Sequence, residues 1–158
     1  MKIEIIERLI TTPISRNTNA PWLRKRSNKV RLVKDFIIKV KECEDRDDFY
    51  LVIPKGYIGD WASIPRLFWL IYPPNYSEAR NGAMVHDYIY SHLHYYFDRR
   101  FADELLKAFM EHDKSNRLAK WCFYYSVRIG GRGGWKQRTR RNPHPHWLEK
   151  FPLIHYDG

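Results

Sequence analysis

Residues 29–41 read KVRLVKDFIIKVK, and apolar and charged side chains alternate along most of this stretch. A period of two residues is typical of β-strands that turn one face to the core and the other to water. The stretch therefore predicts one or two half-buried strands. Their apolar positions are Val30, Leu32, Phe36, Ile38 and Val40.

Short apolar segments on both sides of this stretch extend the β pattern. Residues 2–10 are rich in branched side chains, residues 49–53 form an apolar run that ends at Pro54, and residues 57–58 suit a further short strand. Thr11 to Pro21 carries several turn-forming residues and is expected to be a loop. The first sixty residues thus predict a small antiparallel sheet.

The pattern changes to helical spacing after Pro65. Residues that favour helix N-caps precede three apolar-periodic segments, which we expect to end near His92, near Asp113 and before Gly130. The expected caps are Ser77, Asp98, and Ser115 or Asn116. Strands followed by helices predict an α+β fold, with a single domain over 1–131 and a basic, extended C-terminal arm over 132–158.

Apolar spacing also predicts which faces of the last two helices are buried. One face of the second helix carries Phe101, Leu105, Ala108 and His112. One face of the third carries Leu118, Cys122, Tyr125 and Ile129.

Composition restricts the class of protein. The chain has 158 residues, 44% of them hydrophobic, which suits one domain with a real core. Its formal charge of +10 favours an acidic partner, such as nucleic acid, an anionic cell envelope or an acidic subunit. The two cysteines form no metal-binding or disulfide pattern, and we expect neither a transmembrane segment nor a signal peptide.

Titratable side chains interrupt apolar runs at three places. Asp60 lies in GDWASIPR (59–66), His86 and Asp87 lie in VHDYIY (85–90), and Asp103 follows Ala102 in the next helical segment. Burying such groups is costly unless they are paired. We therefore expect either a chemical site or an inert polar network that pins two helices to a loop.

As a chemical site, these residues suit hydrolysis. His86 would activate water, and Asp103 would accept a hydrogen bond from its other ring nitrogen and so set the tautomer. Asp60 and Asp87 are candidate oxygen ligands for a divalent cation, which is the one candidate cofactor. Arg66 is an alternative source of positive charge for the developing oxyanion.

Two basic segments are candidate partner-binding surfaces, since Trp22 and Trp135 are interleaved with their charges and could stack on bases or sugars. No helix-turn-helix or zinc-finger spacing accompanies them. A solvated charged surface, or an arm that packs on an acidic subunit, is the simpler explanation of these charges. The candidate residues are Arg24, Lys25, Arg26, Arg132, Trp135, Arg138, Arg140 and Arg141.

The combined pattern resembles a domain-of-unknown-function family of small bacteriophage and prophage proteins. The resemblance covers roughly Ile53 to Trp135 and rests on D-x-A-S-I-P-R (60–66), H-D-Y-x-Y (86–90), A-D (102–103) and R-x-G-G (128–131). It implies a phage origin and a shared fold without an established activity. The His-Asp pair is also similar in arrangement to that of secreted phospholipase A2 enzymes, although their disulfides and glycine-rich calcium loop are missing here.

Three classes of function follow as expectations. The first is a small virion component of tail or baseplate type that carries a His/Asp hydrolase-like site and binds other phage structural subunits. The second is a free-standing phage hydrolase that acts on envelope ester or amide bonds. The third is a basic nucleic-acid-binding accessory protein. For all three we expect synthesis in the host cytoplasm, and for the first a place in the virion.

Overall fold

The computed structural model describes residues 1–14, 29–44, 46–60 and 77–141, with the backbone alone for Asp60 and for 137–141. Within these residues six strands precede three helices, so the predicted α+β class is confirmed. The strands are β1 (Lys2–Glu7), β2 (Thr11–Pro13), β3 (Lys29–Leu32), β4 (Phe36–Lys41), β5 (Phe49–Ile53) and β6 (Ile58–Asp60). The helices are α1 (Arg80–Tyr88), α2 (Arg99–His112) and α3 (Arg117–Arg141).

The strands form two antiparallel sheets, where one sheet was predicted. Their orders are β1-β4-β5 and β2-β3-β6. Strands β3 and β4 follow each other closely in the chain, yet they lie in different sheets, because the chain turns between Leu32 and Phe36. The predicted loop after Thr11 begins with β2, which pairs with β3.

The alternation within 29–41 is confirmed by the burial of side chains. Val30 and Leu32 of β3 are buried, as are Phe36, Ile38 and Val40 of β4. In register, Phe36 pairs with Ile53 and Val40 with Phe49. These side chains share one core cluster with Met84 and Val85 of α1 and with Leu105 and Phe109 of α2. Both sheets therefore pack against the same helices.

Local capping chemistry sets the start of two helices. The Asp98 carboxylate accepts a hydrogen bond from the Phe101 amide at 2.7 Å, and the Asn116 side chain accepts one from the Ala119 amide at 2.7 Å. Both residues were predicted as caps. Ser77 instead begins a 3₁₀ turn (Ser77–Ala79), and its hydroxyl donates to Glu78 rather than capping α1.

The first two helical segments end close to the predicted His92 and Asp113, whereas the end of α3 and some of the buried faces differ from expectation. A π-helical turn (Ile89–Leu93) continues α1, and α3 runs through Gly130 to Arg141, so 132–141 are helical rather than extended. On α2, Leu105 is buried as predicted, but His112 is exposed. On α3, Cys122 is buried as predicted, whereas Leu118, Tyr125 and Ile129 are exposed.

No helix among the described residues combines the length and the apolar character that a membrane crossing needs.

Candidate functional site

Helices α1 and α2 approach each other closely at Gly82. A Cβ at this position would lie 2.8 Å from Leu106 Cδ1 and 2.9 Å from Phe109 Cβ, so a side chain does not fit without movement. His86 and Tyr90 follow Gly82 at four-residue steps and share its face. That face meets α2 where Asp103 lies about one turn before Leu106.

Asp103 is the centre of a polar cluster between the three helices. Its carboxylate is fully buried, and Oδ1 accepts hydrogen bonds from His86 Nε2 and from the Tyr90 hydroxyl, each at 2.8 Å. Oδ2 accepts one from Arg128 Nη1 at 3.0 Å and lies 3.6 Å from Arg99 Nε. We call these five residues the Asp103 cluster: His86, Tyr90, Arg99, Asp103 and Arg128.

The cluster keeps Asp103 ionised. Burial acts to raise the pKa of the carboxyl, but the hydrogen bonds from His86, Tyr90 and Arg128 and the charge of His86 outweigh it, so the pKa is lowered. Burial and the neighbouring carboxylate raise the pKa of the Tyr90 phenol, which therefore stays a donor. An ionised carboxylate only accepts hydrogen bonds, so each partner must supply the hydrogen.

This requirement fixes the tautomer of His86. Because Asp103 only accepts, Nε2 carries the hydrogen, and in the neutral ring Nδ1 keeps its lone pair. Nδ1 has no hydrogen-bond partner among the residues that the structure describes, and 13% of the His86 side chain is exposed. The ring packs on Tyr90, with centroids 4.1 Å apart. His86 is therefore arranged as a partly accessible base held by a buried anion.

Helix α3 completes the cluster. Arg99 donates to the backbone carbonyls of Val127, at 3.1 Å, and of Arg128. At Gly131 a Cβ would lie 2.8 Å from the Tyr90 hydroxyl, so the missing side chain lets the phenol lie against the helix. Trp135 packs edge-on against Tyr90, with centroids 4.7 Å apart.

Sequence reasoning placed His86 and Asp103 in one site, and the structure brings them together. No role in this site was predicted for Tyr90, Arg99 or Arg128, although Tyr90 and Arg128 lie in the motifs that carry the resemblance. The first two carried a signal, because Tyr90 follows His86 by four residues and Arg99 precedes Asp103 by four, which puts each on its neighbour's face. Arg128 comes from a distant part of the chain, and spacing alone gives no such signal.

Of the two predicted cation ligands, the structure describes the side chain of Asp87 but only the backbone of Asp60. Asp87 is half-buried on α1, one position after His86, so the two side chains diverge. At the end of β6, the backbone of Asp60 pairs with that of Lys29. Gly59 approaches α1 closely, since a Cβ there would lie 2.7 Å from Met84 Sδ. Within the described residues, no three His, Cys, Asp or Glu side chains come together as metal ligands.

The predicted partner-binding residues fall into three groups. Arg24, Lys25 and Arg26 lie outside the described residues, as does Arg66. Arg132 is exposed on α3, and Trp135 is half-buried against Tyr90 and His94. The remaining three lie in the last turns of α3, where the backbone alone is described: Arg138, Arg140 and Arg141.

Comparison with known proteins places the chain in a family. No curated protein and no solved structure matches it significantly. A family model described as "Protein of unknown function (DUF1353)" matches residues 30–127. The match begins earlier than the resemblance seen in the sequence, at β3, and ends just before Arg128. It includes α1, α2 and most of the Asp103 cluster, and the chain belongs to this family of proteins of unknown function.

Proposed function

We propose that the chain is a hydrolase in which His86, oriented by Asp103, activates a water molecule. The observation that supports it is the 2.8 Å contact between His86 Nε2 and a fully buried, ionised carboxylate, which leaves Nδ1 as the basic atom. A base must be neutral, oriented and within reach of water, and His86 meets the orientation requirement through Asp103 and Tyr90.

The proposed reaction is the hydrolysis of an ester or amide. The water oxygen attacks the carbonyl carbon while His86 Nδ1 takes the water proton, and Asp103 stabilises the imidazolium that forms. The tetrahedral intermediate collapses, the C–O or C–N bond breaks, and His86 returns the proton to the departing alcohol or amine. The products are a carboxylic acid and that alcohol or amine, so atoms and charges balance.

Charge on the carbonyl oxygen needs a separate stabilising group. Arg66 and a divalent cation held by Asp60 and Asp87 are the candidates that the sequence offers. Arg99 and Arg128 are less suited to this role, because both are engaged with Asp103.

The charge balance of the cluster favours catalysis over a purely structural role. Two guanidinium groups already neutralise Asp103, and Tyr90 supplies a further hydrogen bond. The imidazole is thus not needed to compensate the buried charge. A partly exposed ring in that position is better explained by a role for Nδ1.

The test measures hydrolysis of chromogenic acyl esters and amides, with either calcium or a chelator present. We expect His86→Ala to abolish turnover while the circular dichroism spectrum is unchanged. His112→Ala is the matched control, because His112 forms a similar 2.8 Å contact with Asp113 at the exposed end of α2.

The result that contradicts a hydrolase is specific. An inert network predicts no wild-type turnover of any ester or amide, together with a loss of about 1–3 kcal/mol of stability in His86→Ala from the unpaired partner. Turnover that survives His86→Ala would equally remove His86 from the mechanism.

A place in a phage particle, as a tail or baseplate component bound to other structural subunits, belongs to the same proposal. It is supported by the sequence resemblance and is tested by mass spectrometry of purified particles. The alternatives, a free-standing phage hydrolase and a nucleic-acid-binding accessory protein, predict that the chain is missing from those particles.

A further inference from the structure

Helix α3 exposes a row of large apolar side chains. Leu118, Trp121, Tyr125 and Ile129 follow one another at steps of three and four residues, which places them along one side of the helix. Trp121 is 62% exposed and Ile129 is 76% exposed. The ring centroids of Trp121 and Tyr125 lie 4.2 Å apart. We call these four residues the α3 row. The opposite side of this part of the helix is buried through Ala119, Cys122, Phe123 and Ser126.

The charged residues that α3 itself carries are all positive, and Lys120 among them forms an ion pair with Glu111 of α2 at 3.6 Å. Continuing the same spacing, the next two positions along this side of the helix are Arg132 and Lys136, both exposed. The whole helix lacks Asp and Glu. Its basic residues are Arg117, Lys120, Arg128, Arg132, Lys136, Arg138, Arg140 and Arg141.

We propose that this side of α3 binds the surface of a membrane that contains anionic phospholipids. Aromatic and aliphatic side chains at the level of the lipid headgroups, together with lysines and arginines, are the features by which amphipathic helices lie on such surfaces. Each basic residue near the surface adds electrostatic attraction. The helix lies along the membrane and does not cross it.

Other occupants fit the α3 row less well. A second copy of the chain would bring two rows of basic residues together, and like charges repel. Nucleic acid would satisfy the arginines and could stack on Trp121, but it offers little to the exposed side chains of Leu118 and Ile129. An anionic bilayer accepts the charged, aromatic and aliphatic groups together.

The location of the α3 row relates it to the Asp103 cluster. Arg128 and Gly131, which contact Asp103 and Tyr90, lie in the same turns as Ile129 and Arg132. A helix is about 10 Å across with its side chains. A membrane on the α3 row would therefore lie about one helix diameter from the cluster.

The test is co-sedimentation of the full chain with vesicles, performed in the His86→Ala background so that binding is read without hydrolysis. The vesicles contain either phosphatidylcholine alone or phosphatidylcholine with phosphatidylglycerol. We expect binding to the anionic vesicles, weakened by salt, and a loss of about tenfold or more when Trp121→Ala and Ile129→Ala are combined. Val33→Ala is the matched control, because Val33 is an exposed apolar residue on the turn between β3 and β4.

Three results would overturn this proposal while leaving the hydrolase proposal untouched. They are no binding to anionic vesicles, vesicle binding that survives the double substitution, and a self-association or single-stranded DNA binding that the double substitution abolishes in the absence of vesicle binding. Circular dichroism of the double variant establishes that the fold is retained. Failure of the hydrolase test, conversely, would not affect vesicle binding.

Discussion

Asp103 is a fully buried carboxylate that stays ionised because donors surround both of its oxygens. Removing a carboxylate from water is costly, and the cost is offset here by one imidazole, one phenol and two guanidinium groups. Several donors from all three helices depend on a single acceptor, the carboxylate of Asp103. Loss of the acceptor should therefore affect more of the structure than loss of any one donor.

The lowered pKa of Asp103 makes stability depend on acid. Its ordinary value is 3.8, and the folded-state pKa lies below that. The unfolded chain therefore binds the proton first, so the stability contributed by the carboxylate is complete above about pH 4 and is lost as pH falls through the folded-state pKa. Asp103→Asn should lower the free energy of unfolding by about 3 kcal/mol at neutral pH, since it leaves buried donors without their anion.

Urea unfolding at a series of pH values measures both effects. The wild-type protein should lose stability more steeply in acid than Asp103→Asn does, so the two curves converge. Glu104→Gln is the control, because Glu104 is the next residue on α2 and forms an exposed pair with Arg100. Its effect should stay within about 1 kcal/mol. Parallel curves for wild type and Asp103→Asn would show that folding does not lower the pKa of the Asp103 carboxyl.

Among the elements, α3 is the one whose extent depends most on tertiary contact. Gly130, Gly131, Gly133 and Gly134 lie in its second half, and glycine in a helix interior costs about 1 kcal/mol relative to alanine. At Gly131 the missing side chain has a function in packing, since the Tyr90 hydroxyl occupies the space. A Cβ at Gly133 or Gly134 would meet no described atom within 4 Å.

The effect of Gly131→Ala on stability should therefore change sign when the Tyr90 hydroxyl is removed. In the wild-type protein, Gly131→Ala should be destabilising, because the new methyl group would lie 2.8 Å from the Tyr90 hydroxyl. In a Tyr90→Phe background the next atoms are 3.6 Å away, so the same substitution should stabilise by up to about 1 kcal/mol through helix propensity. Thermal unfolding of the two single variants and the double variant measures the coupling.

Gly133→Ala serves as the control for this cycle. It should stabilise the protein by a similar amount in both backgrounds, because no described neighbour obstructs it. If Gly131→Ala behaved like Gly133→Ala in the wild-type protein, the close approach of Tyr90 to α3 would be wrong.

The sequence predicted those elements whose start, end or burial is set by residues close together in the chain. The alternation along β4 and the caps Asp98 and Asn116 were predictable, because strand burial and cap hydrogen bonds involve neighbours in the chain. The end of α3 was predicted before Gly130, since glycines usually interrupt helices, whereas the contact with Tyr90 that accommodates Gly131 is tertiary. The division into two sheets was not predicted either, because alternation along a strand does not specify which strands pair.

The candidate site divides in the same way. His86 and Asp103 could be paired from sequence because each is a costly group in an apolar segment of neighbouring antiparallel helices. The arginines of the cluster could not, since an arginine in a basic chain gives no sign that its charge is engaged. The burial pattern of α3 was misjudged at Leu118, Tyr125 and Ile129 because periodicity identifies an apolar face but not what covers it.

At the scale of the whole molecule, the main core joins both sheets to the helices and extends to the second half of α3. Val30 and Leu32 from one sheet share it with Phe36 and Ile38 from the other, and Trp135 packs against its edge. One shared core predicts a single cooperative unfolding transition. The domain boundary expected at residue 131 falls inside α3, which continues to Arg141.

A truncation series tests that boundary. A chain that ends at 131 loses Trp135 and the remaining turns of α3, and with them the edge-on contact to Tyr90. We expect it to be about 1–3 kcal/mol less stable than a chain that ends at 141, from the lost burial of a half-buried indole and the lost aromatic contact. Trp135→Ala in the full chain should reproduce most of that loss, and Trp121→Ala, on the exposed side of the same helix, should not. Equal urea midpoints for the two truncated chains would instead establish 1–131 as the complete folding unit, with everything after it an appended arm.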